Sequence, residues 1–212
     1  MKLYTWGRAP NPRRVLIYLR EKGIEVPFED AGMQGEPVLK PEFLDAYPHR
    51  RVPLLVLDDG SWIGEAMAIC RYFETLHPEP CLMGRDAKEI AVIDMWERIA
   101  EWEGLHAISE VFRNMRPDFA DRSLAGYAAA LPQIPALVER GTVRMKMFYE
   151  KFEAQLAENE FVAGDRFSVA DITTLCTVDF ARVAKLTIPD HCAGMKRWHA
   201  AVSARPSVNV KS

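Results

Sequence analysis

The sequence predicts two units of different class, an α/β unit ordered βαβαββα followed by an all-α unit. Three observations carry this. Short apolar runs of strand length alternate with helical patterns only as far as Leu76. A break with two prolines, His77-Pro78-Glu79-Pro80, then interrupts the chain, and proline continues neither a helix nor a central strand. Beyond it apolar residues recur only at helical spacing, as in Met145, Phe148, Tyr149, Phe152 and Leu156 at offsets 0, 3, 4, 7 and 11. The expected division is a first domain at 1–78, a linker at 79–86 and a helical domain at 87–212.

Leu3-Tyr4-Thr5-Trp6 reads as the first strand, and Val15, Leu16, Tyr18 and Leu19 follow at helical spacing until Gly23 ends the helix. Val26 to Asp30 returns as a second strand. So short a strand-helix-strand unit implies a parallel pair with a right-handed crossover. Pro37 to Ala46 is expected to hold a short helix. Leu54 to Leu57, the turn Asp58-Asp59-Gly60, and Ser61-Trp62-Ile63 read as a hairpin, and a buried third helix runs from Glu65 to about Leu76. In the helical unit Val92, Met95, Trp96 and Ile99 form one stripe, and Pro117, Pro132 and Pro135 bound the helices after it. Ser168-Val169-Ala170-Asp171 is a capping box opening a helix that carries Ile172, Leu175, Cys176, Phe180 and Val183, and a last helix holds Met195, Trp198 and Val202.

With 27 Lys+Arg against 30 Asp+Glu the net charge is -3, which offers no whole-chain field for nucleic acid or an anionic membrane. Small-molecule work fits better. The cysteines Cys70, Cys81, Cys176 and Cys192 are widely spaced, with no C-x-x-C pair and no zinc-type His spacing, so reduced thiols and no metal are expected. The N-terminus lacks a signal-peptide core, and no run of about 18 apolar residues is present to span a bilayer. A cytoplasmic protein is expected. The stretch from Tyr4 to Val15 is the candidate active-site turn, because a strand stops, turns through Gly7, Pro10 and Pro12, and opens a helix. Such a start offers unpaired N–H groups and the positive dipole end to an anion.

Ala9-Pro10-Asn11-Pro12-Arg13-Arg14-Val15, Arg51-Val52-Pro53, Glu65-Ala66-Met67-Ala68-Ile69 and Ser168-Val169-Ala170-Asp171, in this order and at these intervals, resemble the cytosolic glutathione S-transferase family in its bacterial form, over nearly the entire chain. The resemblance implies a thioredoxin-like N-terminal domain that binds glutathione as co-substrate, and an all-helical domain that supplies most of the second-substrate pocket. It implies that Pro53 follows a cis bond and that Val52 presents its backbone N–H and C=O to glutathione as an added strand would. Glu65 takes the amino group of the γ-glutamyl end. The next residue, a Ser or Thr in the family, is Ala66 here, so one hydrogen bond worth roughly 1.5 to 3 kcal/mol is lost and the Ala66 N–H remains. Arg50, with Lys40 as the alternative, matches the position that meets the glycine carboxylate.

The thiol activator departs from the pattern. The Ser or Cys that steadies the thiolate in many bacterial relatives is Ala9, which has no donor. Asn11 resembles the Asn used with glutathione in a branch that includes disulfide-bond reductases of the nu class, and its amide can donate to sulfur. It is also a natural cap for the first helix. Tyr4, inside a strand, is set back from the helix mouth. Arg8, Arg13 and Arg14 are cations at a positive helix end, suited either to drawing in an anion or to a solvated face.

Trp102, His106, Phe112, Arg113 and Met115 come from the stretch that faces the thiol in relatives and are expected to line a mainly apolar pocket for a small electrophile, although rings and methionines at this spacing also build cores. The resemblance implies a glutathione S-transferase that forms a homodimer. The same thiolate serves disulfide reduction, lyase chemistry and isomerisation. A regulatory or binding protein that has lost its chemistry is the alternative that Ala9 and Ala66 raise.

Overall fold

Strands β1 (Lys2–Thr5), β2 (Phe28–Asp30), β3 (Leu54–Val56) and β4 (Trp62–Gly64) form one sheet in the order β2-β1-β3-β4. The computed structural model describes residues 1–7, 9–32, 39–47 and 49–209. β1 runs parallel to β2 and antiparallel to β3, and β3 pairs antiparallel with β4. Helix α1 (Pro10–Glu21) makes the crossover between the parallel strands, as the short strand-helix-strand pattern requires. Helices α2 (Pro41–Ala46) and α3 (Ala66–Leu76) complete the expected βαβαββα order. Pro37, where the second helix was expected to begin, lies outside the described residues.

Alternation along β1 divides the sheet between two cores. Leu3 joins Val15, Tyr18, Leu55, Ile69 and Phe73 between the sheet, α1 and α3. Tyr4 faces the other way, against the smaller cluster of Ala31, Phe43, Tyr47 and Leu54, and its ring lies 5.4 Å from that of Phe43. It is a packing residue on the face away from α1.

The helical part comprises α4 (Ala87–Ile99), α5 (His106–Met115), α6 (Pro135–Glu158), α7 (Val169–Ala181) and α8 (Ala193–Ser203). Met145, Phe148, Tyr149, Phe152 and Leu156 of α6 are all buried, as their spacing predicts. α7 is buried on nearly every side, its Thr173, Thr174 and Thr177 included, as a central helix is. Its capping box is formed: Ser168 accepts from Ala170 N and Asp171 accepts from Ser168 N at 2.9 Å. Val183 lies beyond α7 in a 3-10 turn and is exposed.

Two features of α4 differ from the sequence reading. The buried face is Ile93, Glu97 and Ala100, while Met95 is exposed. The face has turned by about one position because a glutamate, which hydropathy assigns to water, is held inside by a buried arginine. α4 also passes without a break through a π-helical segment, Ala100–Leu105, into α5. The wider turn shifts the register of side chains between Glu97 and His106. No helix among the described residues is long and apolar enough to cross a membrane.

Candidate active site

Strand register collects three of the sequence motifs at one end of the sheet. Tyr4 of β1 pairs with Leu54 of β3, and Leu54 pairs with Gly64 of β4. The turn into α1, the Val52-Pro53 step and the Glu65-Ala66 step therefore leave from adjacent strands. At about 4.8 Å per strand spacing they lie within roughly 10 Å of one another. The Val52–Pro53 bond is cis, and Val52 precedes the paired residues of β3.

Glu65 caps α3 with backbone angles of φ 62 and ψ 128, a region that L side chains enter only under strain. The paired strand ahead of it fixes this backbone. Gly64 has no side chain because a Cβ there would overlap the Tyr47 hydroxyl. The Glu65 carboxylate is 67% exposed and stands 3.6 Å from Arg51 Nη1. Arg51 also donates to Ala125 O at 3.3 Å, so a loop of the helical part reaches back to this edge. Arg50 stands in the left-handed region at φ 52, with its N–H on Tyr47 O at 3.1 Å. Arg51, which the sequence reading used only to locate the proline, is thus the cation that meets Glu65. Lys40 caps α2.

The α1 turn departs from expectation in two ways. Ala9 is the cap residue, and Pro10, Asn11 and Pro12 are the first helical residues. Asn11 is not the cap. Because proline has no N–H, Asn11 is also the only one of the first three helical residues with a backbone donor, which narrows the expected cluster of N–H groups to one.

Second, Arg14 is neither an anion lure nor a solvated cation. It is 1% exposed. It lies three residues after Asn11 on the same helix face, and its Nη1 donates to Asn11 Oδ1 at 3.0 Å and to Glu101 Oε1 at 2.8 Å. Its Nη2 donates to Glu97 Oε1 at 2.5 Å, and Glu97 is 2% exposed. Glu97 Oε1 also accepts from Thr173 Oγ1 at 3.2 Å. Guanidinium stays charged at any ordinary pH, and here it lies between two carboxylates, Glu97 and Glu101. What it gives Asn11 is orientation. With Oδ1 turned inward to Arg14, the amide nitrogen Nδ2 faces the other way, and it has no hydrogen-bond partner among the described residues. Arg13 pairs with Asp179 at 2.6 Å; Arg8 lies outside the described residues.

The five pocket candidates divide. Trp102, on the π-helical segment and 67% exposed, meets His106 edge-on at 4.9 Å, and His106 Nδ1 is 3.8 Å from Glu110. Phe112 packs on Phe119 at 5.2 Å and Phe180 at 5.1 Å. Arg113 lies over the Phe119 ring and donates to Arg122 O at 2.8 Å. Burial, with Arg122 and Arg51 nearby, pulls its pKa down to about 10. Met115 is exposed. At 100° per residue His106 and Arg113 share one side of α5, and Phe112 and Met115 the other.

Residues 9–76 match the family model "Glutathione S-transferase, N-terminal domain" and residues 116–206 match "Glutathione S-transferase, C-terminal domain". "Glutathione S-transferase 2" of Saccharomyces cerevisiae is 35% identical over 98% of this chain and 88% of its own length. The chain belongs to the glutathione S-transferase family. A glutathione S-transferase domain-containing protein of Marinobacter aquaeolei superposes with a TM-score of 0.87 at 36% identity, covering 98% of this chain and all of its own. Gtt2 of Saccharomyces cerevisiae superposes with the same TM-score at 34% identity, covering 98% of both chains. The glutathione S-transferase fold, with its thioredoxin-like first half, is therefore the architecture of this chain.

What sequence reasoning missed in the site is the Arg14 cluster. Glu97 and Glu101 lie 83 and 87 residues from Arg14. The one local signal was Glu97 and Glu101 at i,i+4 on a stretch otherwise read as an apolar stripe.

Proposed function

We propose that the chain is a cytoplasmic, homodimeric glutathione transferase in which Asn11 holds the glutathione sulfur as a thiolate for attack on a small, mainly apolar electrophile. The observation that carries this is the Asn11 carboxamide, whose Oδ1 is held by a buried guanidinium so that Nδ2 is the atom left to donate. A free thiol with pKa near roughly 8.5 is mostly protonated at neutral pH. Lowering it by two units takes roughly 2.7 kcal/mol. One hydrogen bond to the sulfur anion gives about 1.5 to 3 kcal/mol, and the helix end adds about 0.3 to 1. No Ser, Cys or Tyr is needed.

In this reading Val52, ahead of Pro53, pairs its backbone with the glutathione peptide. Glu65 takes the γ-glutamyl amino group, the Ala66 N–H takes its carboxylate, and Arg50 takes the glycine carboxylate. Because Arg51 already faces Glu65, the incoming amino group shares that acid with it. The domains divide at 79–86. Trp102, His106 and Arg113 border the electrophile on one side of α5, with Phe112 and Met115 behind. The thiolate forms the new bond to the electrophilic atom while the leaving group departs with its electron pair, and the thiol proton goes to solvent. Proximity and the lowered pKa supply the rate. No metal takes part.

A panel of aryl halides, epoxides, disulfides and aryl ethers, each assayed with and without glutathione, tests the reading. Glutathione-dependent turnover of halides or epoxides is expected. Turnover of disulfides or ethers alone would reassign the reaction to reduction or lyase chemistry at the same sulfur. Glutathione binding without turnover of any class would favour the regulatory alternative.

A further inference from the structure

We propose that Glu150, His191 and Cys192 form a binding site for a zinc-type divalent cation that pins the loop before α8 to the middle of α6. One carboxylate oxygen, one ring nitrogen and the sulfur of these residues all lie within 4.8 Å of one another. The site lies between α6 and the loop before α8, far in sequence from the proposed glutathione-binding residues, and does not depend on the proposed reaction. Sequence spacing gave no sign of it, because Glu150 and His191 are 41 residues apart.

The donors match the ion. Zinc takes thiolate at about 2.3 Å, imidazole at about 2.0 to 2.1 Å and carboxylate at about 2.0 to 2.2 Å. Tetrahedral angles then separate such donors by about 3.3 to 3.6 Å. His191 Nε2 and Glu150 Oε1 are 2.8 Å apart in a mutual hydrogen bond. An ion replacing that bonded proton opens the pair by about 0.5 to 0.8 Å and closes the distances to the sulfur by up to about 1.5 Å. Most of this adjustment can come from the His191 and Glu150 side chains, which are 63% and 60% exposed. Cys192 is buried, so a hydrated ion reaches the thiol past these two exposed side chains, and the fourth position stays with water.

The frame is fixed before any ion arrives. Cys192 N donates to Pro189 O at 3.1 Å, Ala193 N to His191 O at 3.0 Å, and Lys196 N to Cys192 O at 3.1 Å. One turn along α6 from Glu150, Glu153 accepts from Gly194 N at 3.1 Å and Met195 N at 2.9 Å, locking the start of α8 onto α6. The charges favour a cation: Glu150 and Glu153 stand on this face, while the nearby Lys196 is paired with Asp190 at 2.7 Å.

The test uses the full untagged chain, Co²⁺ as the spectroscopic probe and Zn²⁺ as competitor. The expected result is one Co²⁺ per chain with a thiolate-to-cobalt charge-transfer band, loss of the band on adding Zn²⁺, and a higher melting temperature with Zn²⁺. His191→Ala and Glu150→Gln, both at exposed side chains, should weaken binding at least about tenfold while leaving the metal-free melting temperature unchanged. Cys192→Ser should remove the band. A silent spectrum with no thermal shift overturns the proposal, as does a band that survives in Cys192→Ser or binding that His191→Ala leaves unchanged.

Discussion

Replacing Arg14 by Met tests the buried cluster that orients Asn11. The substitution keeps an unbranched chain in the space but leaves Glu97, 2% exposed, facing that space with only the Thr173 hydroxyl as donor. Removing one partner of a buried ion pair costs about 3 to 5 kcal/mol because the other charge is left uncompensated. Glu101 adds little, since its side chain is 34% exposed and can return to water. For a chain of this size the loss corresponds to a fall of about 6 to 20 °C in melting temperature. The double variant Arg14→Met with Glu97→Leu removes both charges, and with them the buried Arg14 Nε that has no hydrogen-bond partner. Swapping a buried pair for apolar groups is often neutral or stabilising by about 1 to 4 kcal/mol, so the double should regain wild-type stability. Urea denaturation of the four proteins gives the cycle. A single variant within about 1 kcal/mol of wild type, or a double as unstable as the sum of the two singles, would refute the reasoning.

Other substitutions separate further parts of the structure. Glu65→Gly should raise stability by about 1 to 3 kcal/mol by relieving the φ 62 backbone while weakening glutathione binding; calorimetric binding read beside thermal melting checks both signs. Ser168→Ala should cost about 1 kcal/mol as the loss of a helix cap. Asp171→Ala should cost more than about 3 kcal/mol, because it strands the Val162 N–H, the Ser168 N–H and the Trp198 ring N–H in the interior; the order of the two urea midpoints is the readout. Burial alone would raise the Asp179 carboxyl, but hydrogen bonding from His199 and the charge of Arg13 outweigh it and hold the pKa below the ordinary range. That stabilisation is present above the unfolded aspartate value of about 3.9 and is lost as pH falls through the lower folded value. Asp179→Asn should therefore flatten the acid side of the stability curve, which denaturation midpoints measured across the acid range would show.

Most elements of the fold could be read from local pattern. The α6 stripe has an uninterrupted helical period, the hairpin has its Asp-Gly turn, and the α7 capping box needs only the adjacent residues Ser168 to Asp171. The same holds for the motifs that meet at the sheet edge, because their order fixes which strand ends carry them. The errors occur where a long-range charge overrides hydropathy. Nothing near Arg14 in sequence says that it is buried, and without that fact Glu97 reads as a surface residue and the α4 face is assigned one position off. The π-helical segment is hidden for a related reason: no local pattern from Ala100 to Leu105 marks a wider turn, and the close packing at Gly104, where a Cβ would meet the Phe148 ring and Thr177, exists only in the folded chain. The pocket candidates were the least legible, since rings at helical spacing serve core and pocket alike, and only the folded chain sends Phe112 to Phe119 and Phe180 while leaving Trp102 in water.

The role of Asn11 is tested most directly by the ultraviolet thiolate absorbance of protein-bound glutathione, titrated with pH in the wild type, Asn11→Ala and Asn11→Asp. The wild type should show the bound thiol about two units below the free one. Asn11→Ala should bring it back by at least about one unit, the share of a single hydrogen bond to the anion. Asn11→Asp, which still gives Arg14 its acceptor but turns an anion toward the sulfur, should raise it further. A thiol pKa equal in all three proteins, with glutathione bound in each, would remove Asn11 from the activation of the thiol.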